Sequence, residues 1–277
     1  MLEAIKNHWP EYLIEAWCLA TFMVSACFFA VALFYPGSPL AAFNLNSRNI
    51  LMGIAMGSTA VAIICSAWGK RSGAHFNPAV TLTFFRLGKI RSADAGFYIA
   101  AQFIGGILGV LVSWLVLGGL LADSAVNFVV TVPGKHGHAA AFGAEVVISF
   151  LMMTMILFTS NSVRWARVTP FLAGLFVAVY IAVENPLSGM SMNPARTFSS
   201  AAVAGVWSGW WIYFTAPSLA MLGAAEVFVR IRGPHSVLCA KLNHRSRARC
   251  IFNCDRRVEF IGLPANRHQF SYVTGLF

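Results

Sequence analysis

The sequence predicts an all-α membrane protein with six transmembrane helices and two half-membrane helices, arranged as an inverted repeat. Its composition is 58% hydrophobic and only 11% charged, whereas soluble domains are about 45–50% apolar and about 25% charged. Its apolar segments have two distinct lengths, and one ten-residue pattern occurs once in each half of the chain. These three observations exclude a soluble globular domain and indicate a duplicated, polytopic chain.

Six apolar stretches are long enough to cross a hydrocarbon core of about 30 Å at about 1.5 Å per residue. They cover residues 11–35, 49–67, 95–117, 140–160, 168–184 and 209–229. The opening Met1–Pro10 is short and polar, and the apolar run after it contains Glu15 and exceeds a signal-peptide core. We therefore expect the start of the chain to be retained.

Two further apolar pieces, residues 77–86 and 193–202, are too short to span. Each makes a helix of about 15 Å, which is half a bilayer. A helix that ends inside lipid leaves backbone groups unsatisfied, so these pieces must be buried in protein or line a water-filled cavity.

Both half-helices begin within the duplicated pattern. Residues 72–81 and 188–197 each read S-G-x-x-x-N-P-A-x-T, and this match at fixed spacing indicates an internal duplication. Asn77 and Asn193 suit the N-cap, and Pro78 and Pro194 suit the first helical position, where a missing N–H costs nothing.

The order of segments is three spans with a half-helix after the second, and then the same again. Because three is odd, the second repeat enters from the opposite face, and the half-helices meet near the midplane. We assign the first repeat to 1–117, an extracellular connecting loop to 118–139, the second repeat to 140–229 and a basic cytoplasmic tail to 230–277.

Orientation follows from the positive charges. Of the 20 Lys and Arg residues, only Arg48, Lys135 and Arg196 fall on the face opposite the termini. By the positive-inside rule both termini lie in the cytoplasm of a cell-membrane protein. The formal charge of +10 is then a topology signal, and nothing else in the sequence indicates nucleic-acid binding.

Two Asn-Pro-Ala boxes, Asn77-Pro78-Ala79 and Asn193-Pro194-Ala195, the second followed by Arg196, resemble the signature of the aquaporin, or major intrinsic protein, family. The resemblance covers roughly 11–230 and includes Glu15, Gln102 and Glu145. It implies an aquaporin-like fold, a homotetramer with a pore in each subunit, and passive passage of water or small uncharged solutes. It implies neither an enzyme nor a required cofactor.

The chemistry of the proposed pore fits that implication. Two helix N-termini that face each other place two positive dipole ends, each about half an elementary charge, near the bilayer centre, where they repel cations. The amides of Asn77 and Asn193 can also donate hydrogen bonds to a solute oxygen while their carbonyl oxygens cap the helices. Arg196 adds a fixed cation.

Counting from the boxes as family members align, the resemblance places the selectivity region at Gly57, Ile181, Met190 and Arg196. Gly57 and Ile181 match neither strict water channels nor glycerol facilitators and suggest a wide, apolar constriction, although Gly57 is equally suited to helix packing. Other positions resemble water channels instead, which leaves the solute open: Thr197, Ala201, Tyr213 and Phe214.

By the same resemblance Glu15 and Glu145, with Gln102, hold the loops that carry the boxes, because buried carboxylates need partners. His75 belongs to the cytoplasmic vestibule, where a satisfied histidine is favoured over a pH gate.

The tail departs from the family. Its donors are candidates for a Cys3His zinc or copper site, against the alternative of reduced thiols in a basic tail near lipid headgroups. We expect all six cysteines to be reduced. The candidate ligands are His235, Cys239, His244, Cys250 and Cys254.

Rival functions remain at this stage. Within the channel class the rival is a facilitator for glycerol, urea or uncharged metalloid acids. Outside it are a membrane adhesion or scaffold protein whose pore is blocked at Met190 or Phe76, and an ion-coupled transporter, which needs carboxylates at the midplane. The sequence contains no nucleophile–base pairing, phosphate loop or dinucleotide fingerprint that indicates an enzyme.

Overall fold

A computed structural model describes residues 1–245 and 248–255. The predicted tail 230–277 therefore lies partly outside the described residues, together with Arg247, Arg256, Arg257 and Arg267. The described helices are α1 Leu2–Phe34, α2 Leu45–Cys65, α3 Ala67–Ser72, α4 Pro78–Arg86, α5 Ser92–Leu117, α6 Gly119–Ala122, α7 Gly137–Ser160, α8 Thr169–Ser188, α9 Pro194–Ala204 and α10 Trp210–Arg232.

Within the described part of the chain, six helices are long and apolar enough to cross a membrane: α1, α2, α5, α7, α8 and α10. With the half-helices α4 and α9 they confirm the predicted fold class. The helix α1 starts well before the predicted residue 11 and has 33 residues. Its polar first turns remain helical because they pack on the start of α5, where His8 Nδ1 and the Tyr12 hydroxyl lie 2.7 and 2.5 Å from Asp94 Oδ1.

The packing of the helices has an approximate two-fold symmetry. In the first half α1 packs against α5 and α2, and in the second half α7 packs against α10 and α8. The two halves meet where α2 contacts α8, where α4 contacts α10, and where α9 contacts α5. Each half-helix thus packs against a long helix of the other half, so neither half encloses a pore alone.

Glycines allow the long helices to cross closely. A Cβ added to Gly105 or Gly109 on α5 would lie 2.1 or 2.5 Å from the backbone oxygen of Ala16 or Ala20 on α1. At the α2–α8 crossing, a Cβ on Gly53 would lie 2.3 Å from the backbone oxygen of Ala178. Small residues permit such backbone contacts between helices in lipid.

The half-helices begin as the sequence predicts. Asn77 Oδ1 accepts from the N–H of Ala79 at 2.9 Å, and Asn193 Oδ1 accepts from the N–H groups of Ala195 and Arg196 at 3.1 and 3.2 Å. The sequence did not predict the short helix α3, which Ser66 caps by accepting a hydrogen bond from the N–H of Gly69 at 2.8 Å. This helix carries the chain from the end of α2 back toward the centre of the molecule.

Two segments cover the two ends of the bundle. At one end lies the connection between α5 and α7, where Gly134 donates its N–H to Leu187 O at 2.9 Å. At the other end lie the start of α1 and residues 237–255, which we call the tail segment and of which all but 246 and 247 are described. We call this second end the tail side. Both the N-terminus and the tail segment therefore lie on one face.

Candidate functional site

Two re-entrant loops, Gly73–Phe76 and Gly189–Met192, lead into the half-helices. Gly73 and Gly189 have φ values of +101° and +77°, a region that glycine tolerates. Residues two and four positions before each proline also have positive φ and are not glycine. Such backbone costs about 1–3 kcal/mol per residue and needs support from its surroundings. These residues are Ala74, Phe76, Met190 and Met192.

Glu15 supports the first loop. Its Oε1 accepts from the Ser72 hydroxyl at 2.7 Å and from the N–H of His75 at 3.1 Å. Its Oε2 accepts from the N–H of Phe76 at 2.7 Å and from Gln102 Nε2 at 2.9 Å. This buried carboxylate therefore stabilises the strained loop through hydrogen bonds from the backbone N–H groups of two successive residues.

Glu145 supports the second loop in the same way. Its Oε1 accepts from the Ser188 hydroxyl at 2.7 Å and from the N–H of Ser191 at 2.8 Å, and its Oε2 accepts from the N–H of Met192 at 2.8 Å. The geometry supports the scaffold role that the resemblance implies for both glutamates.

The sequence did not predict that four further residues belong to these networks. The Tyr98 hydroxyl donates to Ser72 O at 2.7 Å, and the Tyr213 hydroxyl donates to Ser188 O at 2.5 Å. Both tyrosines are fully buried. The serines open the duplicated pattern, but their spacing indicates only a turn. The tyrosines lie at nearly the same distance after each box, which was the available signal.

The two boxes meet directly. Asn77 Nδ2 donates to Met192 O at 2.7 Å, and Asn193 Nδ2 donates to Phe76 O at 2.8 Å. Each side-chain amide has two N–H groups, so one N–H joins the loops while the other remains for a solute. Both asparagines line the same cavity.

This cavity, of about 260 Å³, runs past both boxes. Its wall is mainly apolar and comes from both halves of the chain, with Phe22, Met52 and Met56 on one side and Met152, Ile156 and Val177 on the other. Polar groups enter it at the boxes and the adjoining Ser191, at His75, at Asn185 and at Arg196. The arrangement offers a narrow apolar path with donors at its centre.

Arg196, Ile181 and Met190 all line the cavity. Arg196 Nη1 is buried, and no hydrogen-bond partner for it is present among the described residues. Close by, the Thr197 hydroxyl lies 2.7 Å from that of Thr131 and 2.6 Å from that of Ser191, which fixes the first turn of α9. The guanidinium is thus presented to the cavity by a fixed helix end.

Gly57 is placed differently from the selectivity position that the resemblance assigned. It lies at the α2–α8 crossing, where an added Cβ would be 2.4 Å from Gly174 O. Its neighbour Met56 lines the cavity instead. One residue along a helix turns a side chain by about 100°, so a count from the box does not fix the face. The packing alternative is the one that the geometry supports.

His75 lies at the tail side of the cavity and is 1% exposed. Its Nδ1 is 3.1 Å from the Thr81 hydroxyl, and its Nε2 is 2.8 Å from Ala240 O in the tail segment. Both ring nitrogens are therefore satisfied, in line with the vestibule role that the sequence favours.

Four of the five candidate metal ligands come together in the tail segment. One donor atom each from Cys239, His244, Cys250 and Cys254 lies within 4.8 Å of all the others. His235 lies apart from them, exposed in a 3-10 turn at Pro234–Ser236. No disulfide joins any of the six cysteines, all of which lie among the described residues.

A sequence model of the family described as "Major intrinsic protein" matches residues 6–227. The aquaporin NIP2-3 of Zea mays is 36% identical over 201 residues, which cover 71% of this chain and 64% of that protein. A probable NIP-type aquaporin of Nicotiana alata is 36% identical over 192 residues, covering 64% of this chain and 68% of its own length. The chain thus spans less than two thirds of the maize relative.

Among solved structures, the aquaglyceroporin from Plasmodium falciparum matches with a TM-score of 0.69 at 16% identity, covering 83% of this chain and 99% of that one. At this identity the match supports the fold alone. The family match spans most of the chain and includes both boxes and both glutamates. The chain therefore belongs to the major intrinsic protein family.

Proposed function

We propose that this protein is a passive transmembrane channel that conducts water and small uncharged solutes and excludes protons and ions. The observation that carries the proposal is the meeting of Asn77 and Asn193, whose amides line one cavity where two half-helices face each other. A solute oxygen that accepts a hydrogen bond from both amides is oriented at this point, and a water held in this way does not relay a proton.

Electrostatics supports the exclusion of ions. The N-termini of α4 and α9 direct positive dipole ends at the boxes, and Arg196 adds a fixed cation. Glu15 and Glu145 do not present their carboxylates to the path, because both are fully buried against the re-entrant loops. The same burial argues against an ion-coupled transporter, which needs carboxylates that face the path.

The polarity of the cavity wall indicates the class of solute. Met56, Ile181 and Met190 are apolar, and the polar side chains that line the cavity with them are those of Arg196 and Asn185. This composition favours a path that also admits small neutral solutes such as glycerol, urea or uncharged metalloid acids, which is the second candidate function. A cavity lined from both halves of the chain, with Phe76 and Met190 in its wall, argues against a closed-pore scaffold.

The orientation and assembly belong to the same proposal. Lys89, Arg71 and Arg249 lie on the tail side with the N-terminus. By the positive-inside rule this supports our inference that both termini lie in the cytoplasm of a cell-membrane protein. We propose a homotetramer with a pore in each subunit. Conduction requires no cofactor, so a metal at the Cys/His group would be structural or regulatory.

The test is osmotic shrinkage and re-swelling of proteoliposomes, recorded by light scattering. We expect rapid shrinkage in an impermeant osmolyte and re-swelling in glycerol or urea faster than in empty liposomes. Fast water flux without solute-driven re-swelling would support a water-only channel and remove the second candidate. Rates equal to those of empty liposomes for every solute would contradict conduction altogether.

A further inference from the structure

The tail segment forms part of the pore wall. Ala240 O lies 2.8 Å from His75 Nε2, and the N–H of Leu242 donates to Gly73 O at 3.1 Å. Leu242 lines the cavity together with His75, Ile64 and Met221. This stretch of tail therefore lies at the tail-side mouth of the cavity, directly against the first re-entrant loop.

The far end of the segment is attached to the same region. The Phe252 ring stacks on the His75 ring with centroids 5.5 Å apart and an interplanar angle of 11°. The N–H of Asn253 donates to Lys89 O at 3.0 Å, and Lys89 Nζ lies 2.5 Å from Asp255 Oδ2. The segment thus leaves the mouth and returns to it.

Between these two attachments the chain contains no described helix or strand. Three thiols and one imidazole lie together at its bend: Cys239, His244, Cys250 and Cys254. Two donor pairs are close, since Cys239 Sγ lies 3.5 Å from Cys250 Sγ and Cys254 Sγ lies 3.2 Å from His244 Nε2.

These distances fit a tetrahedral cation. Zinc–sulfur bonds of about 2.3 Å at tetrahedral angles separate two sulfurs by about 3.8 Å. The six separations among the four donor atoms are at most 4.8 Å, so shifts of about 1 Å complete the geometry. Three thiolates and an imidazole are a ligand set for Zn²⁺, and their softness also suits Cu⁺.

The surrounding charge points the same way. Three thiolates around Zn²⁺ carry a net charge of −1, and around Cu⁺ a net charge of −2. Lys241 is 3% exposed, and its Nζ donates to Arg249 O at 3.2 Å, next to Cys250 in the chain. A buried ammonium requires a compensating negative charge. The net negative charge of the cation with its three thiolates supplies it. Arg249 itself pairs with Glu11, with Nη2 3.0 Å from Oε2.

We propose that Cys239, His244, Cys250 and Cys254 bind one tetrahedral d10 cation, Zn²⁺ or Cu⁺, and that this cation fastens the tail segment across the mouth of the pore. The bound cation closes the loop between the two attachments. It thereby removes conformational freedom that the tail segment would have if it left the mouth of the cavity. The metal site stands on its own donors, whereas its effect on permeability rests on the proposed channel function.

The first experiment measures metal content. The full-length protein is purified in detergent with a phosphine reductant and without chelator, equilibrated with Zn²⁺ or Cu⁺, desalted and analysed for both elements. We expect about one cation per chain, and the preferred element identifies the ion. The Cys250→Ser and Cys254→Ser variants should fall to background, whereas His235→Ala and Cys65→Ser, which alter donors outside the group, should not.

Equal metal content in all variants, or none in the wild type, would overturn the site. A Cys239–Cys250 disulfide that persists in reductant would overturn it as well. Because a serine variant that misfolds also loses metal, chelation of the wild-type protein provides an independent measurement. Chelation should render the Lys241–Arg249 stretch sensitive to trypsin, and restored Zn²⁺ or Cu⁺ should protect it.

The second experiment measures water permeability of proteoliposomes before and after chelation. We expect chelation to raise permeability in the wild type and in His235→Ala, and to leave Cys250→Ser unchanged at the raised level. Stoichiometric metal with no change in permeability or tryptic cleavage would refute the fastening role. A protein that binds metal but conducts in no form would instead contradict the proposed channel function.

Discussion

At the scale of single residues, the two glutamates connect the fold of the re-entrant loops with the geometry of the two boxes. Each accepts two successive backbone N–H groups from a re-entrant loop, so it stabilises residues with positive φ. The same constraint directs the loop carbonyls of Phe76 and Met192 toward the opposite asparagine. A buried charge is costly in a membrane segment, and here its hydrogen bonds compensate for that cost.

The substitution Glu145→Gln tests this role. A neutral carboxamide accepts with one atom and presents N–H groups at the other, so at least one of the bonds to Ser191 or Met192 is lost. Hydrogen bonds to charged groups contribute about 1.5–3 kcal/mol, so we expect about 2 kcal/mol lower stability, seen as a lower melting temperature in detergent, and slower water flux.

The matched control is Glu226→Gln. Glu226 is 44% exposed at its side chain and pairs with Arg86 at 2.8 Å, and exposed pairs contribute about 1 kcal/mol or less. If Glu145→Gln and Glu226→Gln both melted at the wild-type temperature, Glu145 would not support the second re-entrant loop.

Arg196 is the second test at this scale. A unit charge about 5 Å from a passing cation adds about 3 kcal/mol to the barrier at an effective dielectric constant of about 20. We expect Arg196→Gln to raise proton or cation leak at least about tenfold, read with a pH-sensitive dye inside proteoliposomes. Arg48→Gln, which removes an arginine at 5.3 Å from the Phe34 ring, should leave the leak unchanged.

At the scale of elements, the sequence predicted where the half-helices begin but not which faces of the long helices line the cavity. The S-G-x-x-x-N-P-A-x-T pattern is local, and its capping chemistry predicted where α4 and α9 begin to within a residue. The faces of the long helices depend on partners far away in the chain. Gly57 shows the difference, because only the position of Gly174 reveals that it packs against α8 and leaves Met56 to line the cavity.

The substitution Gly57→Ala separates the two interpretations of this glycine. The added Cβ would lie 2.4 Å from Gly174 O, and overpacking typically costs about 1–3 kcal/mol. We expect a lower melting temperature in detergent. Gly143→Ala on α7, where an added Cβ meets nothing within 4 Å, should melt at or slightly above the wild-type temperature. A stable Gly57→Ala protein with reduced solute flux would favour the selectivity role instead.

At the scale of the whole molecule, the pore exists only between the halves. The family resemblance predicted the duplicated core, because the family is identified by particular residues at fixed spacing. It did not predict the tail, where Ala240 and Leu242 reach the mouth of the cavity from a segment without sequence periodicity. Contacts such as that of Phe252 with His75 depend on the whole bundle being in place.

We propose that Asn77 and Asn193, held together by the two loops, pass uncharged molecules and stop protons. The direct measurement is water flux and proton flux in the same proteoliposomes, with light scattering for volume and a trapped dye for pH. We expect osmotic shrinkage well above that of empty liposomes, with proton entry at the empty-liposome rate. Proton entry that rises in proportion to water flux would contradict it.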